Sequence, residues 1–237
     1  NMVKMTKEEF IVALNNLNIH LTKEALDALE IYASFLLEYN EHTNLTAIKT
    51  MSDVYLKHFY DSLTISKLAN FTSGKLLDVG TGAGFPGMVL AICFPNLQVD
   101  LLDSNNKKIK FLEELIKKLN LTNVQTIYSR AEDYTKVNRE KYDYVTSRAV
   151  ADLRVLLELN IPSLKINGEF LVMKGNIDEE LKLSQNALEK LFCTITKKEE
   201  FTLPFNSGTR NIMVIKKNKE TPSIYPRNYD KIKKRPL

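Results

Sequence analysis

The chain has 237 residues, 44% of them apolar and 26% charged, with a formal net charge of +4. That is enough for one large domain, or a domain with an extension. No run approaches the ~18 apolar residues that cross a bilayer; Cys93 and Cys193 form no C-x-x-C pair, and His20, His42 and His58 lack ligand spacing, which argues against a membrane span, a disulfide framework and a metal centre.

The N-terminus is charged and amphipathic, unlike a signal peptide, with Asn1 reading as an addition ahead of a start Met2, so a cytoplasmic location is expected. Thr6 and Glu9 form a capping box before Phe10, Ile11, Leu14 and Leu17 at helical spacing. Thr22 caps a second helix carrying Leu26, Leu29, Ala33, Leu36 and Leu37 on one side. A turn over Asn40 to Thr46 precedes a third helix from about Ser52 to Leu68, completing a helical extension over 1–70. Within that helix His58 and Asp61 stand one turn apart: either a pair that positions substrate or an exposed ion pair, which the spacing alone favours.

From Gly74 onward the pattern alternates. Strands are expected near 75–80, 98–103, 124–129, 142–147, 168–174, 194–202 and 210–217, with helices near 86–94, 106–119, 152–161 and 178–192. Such alternation predicts an α/β fold over 71–218, a mostly parallel seven-stranded sheet covered on both faces. The Pro204-to-Thr209 connection is too short for a parallel crossover, so the last two strands should form an antiparallel hairpin at the sheet edge. Seven strands ending this way favour a methyltransferase arrangement of the Rossmann-like sheet over a dehydrogenase one.

Residues 76–87, Leu-Leu-Asp-Val-Gly-Thr-Gly-Ala-Gly-Phe-Pro-Gly, read as a buried strand, a glycine turn and a helix start. Gly80, Gly82 and Gly84 let a nucleotide-like cofactor approach the backbone closely. The spacing also satisfies the dinucleotide pattern, so charge must discriminate. Asp78 sits where a pyrophosphate would be repelled, whereas S-adenosylmethionine carries a sulfonium and an ammonium and no phosphate. Asp103, ending the second strand, suits a ribose diol in either cofactor.

In a doubly wound sheet ligands gather at the carboxyl ends of the strands. After strand three come Arg130, Ala131 and Glu132, where Ala131 and Glu132 are placed to meet an adenine ring; Glu132 as a simple dipole-complementing acid is the alternative. After strand four comes Ser147-Arg148-Ala149. Neither an Asn/Asp-Pro-Pro-Tyr loop nor a Pro-Cys nucleophile is present there, and Arg148 suits guanine O6/N7 or phosphate. Guanine N7 carries an in-plane lone pair and needs placement rather than a base, although an alkoxide or amine acceptor stays open on this reasoning. Lys174, ending strand five, is suited to RNA phosphate or to ordinary snorkelling. Residues 216–237 hold eight Lys/Arg against Glu220 and Asp230, leaving this tail +6 and the remainder −2. Interleaved with Tyr225 and Tyr229, the basic tail over 219–237 suits a polyanion such as RNA, or is a solvated extension. Arg210 and Arg227 join Lys174, His58 and Asp61 as substrate-side candidates.

Together these residues resemble one family, the bacterial small-subunit ribosomal RNA guanine-N7 methyltransferases, also called glucose-inhibited division protein B. The matches are Asn44-Leu45-Thr46, His58 to Leu63, Asp78 to Gly87, Leu102-Asp103-Ser104 with Lys107-Lys108, Arg130-Ala131-Glu132, Ser147-Arg148-Ala149, Lys174-Gly175, Tyr225-Pro226-Arg227 and Lys233 to Leu237. The resemblance spans nearly the whole chain. It implies a class I methyltransferase fold and methyl transfer from S-adenosylmethionine to N7 of one guanine in 16S rRNA; a monomer without metal or membrane is expected beside it. It further implies that Gly80 and Phe85 contact the cofactor, that Ala131-Glu132 hold its adenine side, and that Arg148, the expected catalytic residue, lines a pocket shared by cofactor and substrate. Tyr39-Asn40 replaces the family's frequent Trp-Asn, and Asp230 replaces a usual glycine of the tail. An NAD-dependent oxidoreductase and a non-enzymatic rRNA-binding assembly factor are the competing readings.

Overall fold

A computed structural model describes residues 5–148 and 151–237. Asn1, Met2 and the Ala149 of the strand-four motif lie outside the described residues. The capping box forms as expected, with Thr6 Oγ1 accepting from Glu9 N at 3.1 Å ahead of α1 (Lys7–Asn15). Thr22 does the same for α2 (Lys23–Asn40). The third helical segment is not one regular helix. It runs as α3 (Met51–Asp53), a π-helical stretch Val54–Tyr60, α4 (Asp61–Leu63) and a 3₁₀ turn Thr64–Lys67. The wider turn rotates the residues that follow relative to 3.6-residue spacing, so helical-wheel neighbours need not meet.

The α/β part follows in order: β1 (Lys75–Val79), α5 (Gly87–Cys93), β2 (Gln98–Asp103), α6 (Asn106–Leu119), β3 (Val124–Tyr128), α7 (Ala131–Val137), β4 (Tyr142–Ser147), α8 (Leu153–Asn160), β5 (Leu164–Lys174), α9 (Asp178–Leu183), α10 (Gln185–Lys190), β6 (Cys193–Thr202), β7 (Thr209–Lys217) and α11 (Tyr229–Lys234). Three elements depart from the sequence reading. Helix α7 lies outside the helices expected from periodicity, because seven residues with one buried position show no readable period, although the dipole-complementing alternative for Glu132 presupposes a helix start there. The helix expected over 178–192 breaks at Ser184, whose hydroxyl bonds the Glu180 carbonyl at 2.5 Å. The basic tail ends in a short helix.

The sheet order is β3-β2-β1-β4-β5-β7-β6, with β1 to β5 parallel and β7 inserted antiparallel between β5 and β6. Its direction of growth reverses between β1 and β4, the switch point where an open α/β sheet leaves a crevice. Alternation along each strand divides the core. Leu76, Leu101, Leu171 and Val214 face one side, where Phe10, Leu29, Tyr32 and Phe59 of the N-terminal helices cover them. Leu77, Leu102, Val172 and Met213 face the other, beneath Leu153, Leu156 and Leu157 of α8. The N-terminal segment therefore roofs one face of the sheet, and burial of such side chains contributes roughly 1.5–3 kcal/mol each. Among the described residues no helix is long and apolar enough to cross a membrane.

Gly87 begins α5 directly against β1. A methyl there would lie 2.8 Å from Cβ of Asp78 and collide with Leu101, whereas one at Gly175 meets nothing within 4 Å. Gly87→Ala should therefore destabilise the fold by about 1–3 kcal/mol in urea unfolding, and Gly175→Ala should stay within about 0.5 kcal/mol. Equal midpoints for the two variants would contradict this packing.

Candidate functional site

The turn after β1 is tied to the end of β2. Gly80 N and Thr81 N donate to the Leu102 carbonyl at 2.9 and 3.0 Å, and Gly82 N donates to Asp103 Oδ2 at 2.8 Å. Gly80 and Gly82 lie at φ +69° and +59°, where a side chain would be strained. Asp103 Oδ1 accepts from Asn105 N at 2.8 Å, and Asn105 in turn caps α6. Above this turn opens a cavity of about 580 Å³ lined by Gly80, Asp103, Ser104, Arg130, Ala131 and Glu132, with Ser147 on its β4 side and Val155, Leu156 and Leu159 of α8 as an apolar wall. Two acids against one arginine make its rim acidic on balance.

Asp78 does not line this cavity. Its side chain is wholly buried behind the turn, where Oδ2 accepts from Thr81 Oγ1 at 2.7 Å and Gly87 N at 2.8 Å, and Oδ1 from Thr146 Oγ1 at 3.0 Å. The expectation that this carboxylate faces a ligand is corrected: its acceptors close the turn. Burial pushes it up to about 6, against the lowering effect of those hydrogen bonds. Gly82 and Phe85 are likewise absent from the cavity's described lining. Phe85 is 7% exposed and stacks between Tyr32 and His58, with ring centroids 5.4 and 3.9 Å away.

A second cavity, about 470 Å³, lies beyond β4 and is lined by Asp61, Arg148, Lys174, Gly175, Glu180 and Arg210. Asp61, 1% exposed, receives Arg148 Nη2 on Oδ2 at 2.8 Å and Arg210 Nε on Oδ1 at 3.0 Å. Lys174 Nζ bonds Glu180 Oε1 at 2.8 Å and the Ala151 carbonyl at 2.6 Å. Arg148 thus belongs to the second cavity rather than the first, although its neighbour Ser147 lines the first. Consecutive residues at the end of β4 thus line different cavities.

The exposed ion pair does not form: Asp61 is buried between arginines, while His58 Nε2 lies 3.0 Å from Thr46 Oγ1 and its ring covers Phe85. Arg227 leaves the substrate set. Its guanidinium grips Glu158, wholly buried on α8, with Nη2–Oε1 at 2.7 Å and Nε–Oε2 at 3.0 Å. Sequence reasoning missed Asp61 as a tie between two arginines, because its partners lie 87 and 149 residues away. Cys193 is buried and Cys93 half-buried, and among the described residues no His/Cys/Asp/Glu cluster could hold a metal.

A family model described as rRNA small subunit methyltransferase G matches residues 25–213. A protein of Desulforamulus reducens named ribosomal RNA small subunit methyltransferase G is 46% identical over 229 residues, covering 95% of each chain. One of the same name from Bacillus velezensis is 45% identical over 98% of this chain and 99% of its own. Among solved structures, a Pyrococcus furiosus methyltransferase superposes with a TM-score of 0.58 at 16% identity, over 78% of this chain and 98% of its own. M. jannaschii TYW2 in complex with AdoMet gives 0.53 at 18%, over 66% of this chain and 73% of its own. At such identities these structures establish the fold alone.

Two buried groups titrate in opposite senses. Burial, with Arg148 adding to it, lowers His58 from 6.5 to about 3, so His58 supplies stability above pH 6.5 that is lost as pH falls from 6.5 toward 3. Asp78, raised from 3.8 to about 6, supplies stability below pH 3.8 that is lost as pH rises toward 6. On going from pH 7 to pH 4.5, the stability advantage of wild type over His58→Gln should shrink and that over Asp78→Asn should grow. Urea titrations of the three proteins at the two pH values decide it: a growing advantage over His58→Gln would refute the first assignment, and a shrinking one over Asp78→Asn the second.

Proposed function

The chain belongs to the family of rRNA small subunit methyltransferase G, and from that premise we propose that its first cavity holds S-adenosylmethionine while its second presents N7 of a guanine of 16S rRNA. It is an S-adenosylmethionine-dependent methyltransferase, which removes the oxidoreductase alternative. The observation that carries the site assignment is that consecutive residues at the end of β4 line different cavities, Ser147 the acid-rimmed one over the switch point and Arg148 the arginine-lined one beyond β4.

The residues present fit the cofactor. Gly80 leaves open space at its backbone, Asp103 and Glu132 offer carboxylate acceptors to hydroxyl, amine or ammonium groups, and the α8 side chains give an apolar surface for a ring. Among the described lining residues Arg130 is the one cation, against Asp103 and Glu132. When bound, S-adenosylmethionine supplies an electrophilic methyl group on a positively charged sulfur.

The remaining work is placement. Asp61 fixes the planes of Arg148 and Arg210, so two guanidinium groups face the second cavity without having to be ordered when RNA enters. A guanine needs both its O6 and a neighbouring phosphate held for N7 to point toward Ser147. Arg148, next to the first cavity, is placed for the base, and Arg210 for the backbone. Since N7 attacks without losing a proton, no general base is required, and the contribution is alignment in a preorganised field. An unpaired or extruded guanine is the substrate form such a cavity admits. A cytoplasmic location belongs to the same proposal.

With labelled cofactor and small-subunit rRNA, Arg148→Ala should lower kcat/KM on the order of 100-fold, while S-adenosylhomocysteine still raises the melting temperature as in wild type. Turnover at the wild-type rate would remove Arg148 from this role. Affinity for rRNA should fall steeply with salt in a filter-binding titration, and a flat log–log plot would dismiss the basic surface as its docking face.

A further inference from the structure

The C-terminal segment does more than carry charge. It is fastened to the wall of the first cavity at several points. Arg227 grips Glu158 of α8, and Arg139 donates to the carbonyls of Thr221 and Tyr225 at 2.9 and 2.6 Å. Ile232 of α11 is wholly buried against Val155 and Leu159, two α8 residues whose other side lines the cavity. Tyr229, three residues before Ile232, shares its helical face and leans the same way. It lines the first cavity and, together with Arg130 and Glu132, a smaller adjoining one, while remaining 38% exposed. The lysines between and after them, Lys231, Lys233 and Lys234, are exposed.

We infer that Tyr229 is a cofactor-contacting residue supplied by the C-terminal helix, its ring closing the nucleobase end of the S-adenosylmethionine site beside Glu132. This rests on the reading that the first cavity holds that cofactor. The chemistry is that of an aromatic face beside a purine. A phenol ring loses little conformational entropy on contact and supplies a large, water-excluding surface. Ile232 anchors this helix on Val155 and Leu159 of α8, the same two residues that line the cavity beside Tyr229. Because the same six-residue helix exposes three lysines, cofactor binding and any contact of those lysines with rRNA are linked through one rigid element, and each must alter the other's affinity by the same factor.

The test uses the full chain and S-adenosylhomocysteine as probe. By calorimetry, Tyr229→Ala should bind it about tenfold more weakly than wild type, with the ligand-free melting temperature within experimental error of wild type. In wild type, hydrogen exchange at residues 228–234 should slow when the probe is added. An affinity within about twofold of wild type, or exchange over 228–234 indifferent to the probe, would overturn the inference. Failure of wild type itself to bind S-adenosylhomocysteine would instead strike at the cofactor reading.

Discussion

The site depends on one buried carboxylate. Asp78 receives a hydroxyl from Thr81, a backbone N–H from Gly87 and a hydroxyl from Thr146, and so joins β1 to the glycine turn, to the start of α5 and to β4 at the switch point. A carboxylate in an apolar interior is costly unless its lone pairs are filled, and three donors at hydrogen-bond distance do that. The arrangement exchanges solvation for geometry. With the turn held against β2 by Gly80, Thr81 and Gly82, the strand-end groups Gly80, Asp103 and Ser147 share one cavity instead of fraying as independent loops.

The same device recurs on either side. Asp61 fixes Arg148 and Arg210, and Glu158 fixes Arg227 together with its own backbone N–H. Each is a buried acid paired with arginine: the Arg227 fork spans both Glu158 oxygens, whereas Asp61 takes one guanidinium on each oxygen. Such pairs contribute less to stability than to specificity, because desolvation offsets most of the attraction. Their effect is to place guanidinium groups: Asp61 orients two of them toward the second cavity, while Glu158 withdraws one from solvent and uses it to hold the tail.

Local patterning made much of this legible. Thr6 and Thr22 announce their helices, the strands alternate as the sheet requires, and the glycines mark the turn where φ is positive. Asn40 organises its turn as the sequence suggested, bonding Leu45 N and Thr46 N with one oxygen. What stayed illegible involves partners far apart in sequence or departures from regular period. Spacing suggests an exposed ion pair between His58 and Asp61, but each finds a different partner, in a segment whose π-helical stretch over Val54–Tyr60 departs from the 3.6-residue period and is signalled by no propensity in advance. A strand-end carboxylate such as Asp78 has two directions available, and its acidity alone points outward as readily as inward. Only the positions of Thr146 and Gly87 decide between them.

Charge counting also changes once the fold is known. The tail's +6 suggests a uniformly polyanion-seeking segment, yet Lys217 is fully buried, donating to the Ile161 and Leu164 carbonyls and pairing with Glu140, and Arg227 is held by Glu158. Two of the eight cations therefore act inside the protein, and burial lowers the Lys217 ammonium from its usual range. Lys231, Lys233, Lys234 and Arg235 remain exposed on or beside one short helix anchored by Ile232. A field from four clustered charges on a fixed element is directional, whereas the same charges on a loose extension would average over many orientations. Ile232 and Arg227 fix them beside α8, so that this field keeps one direction relative to the sheet.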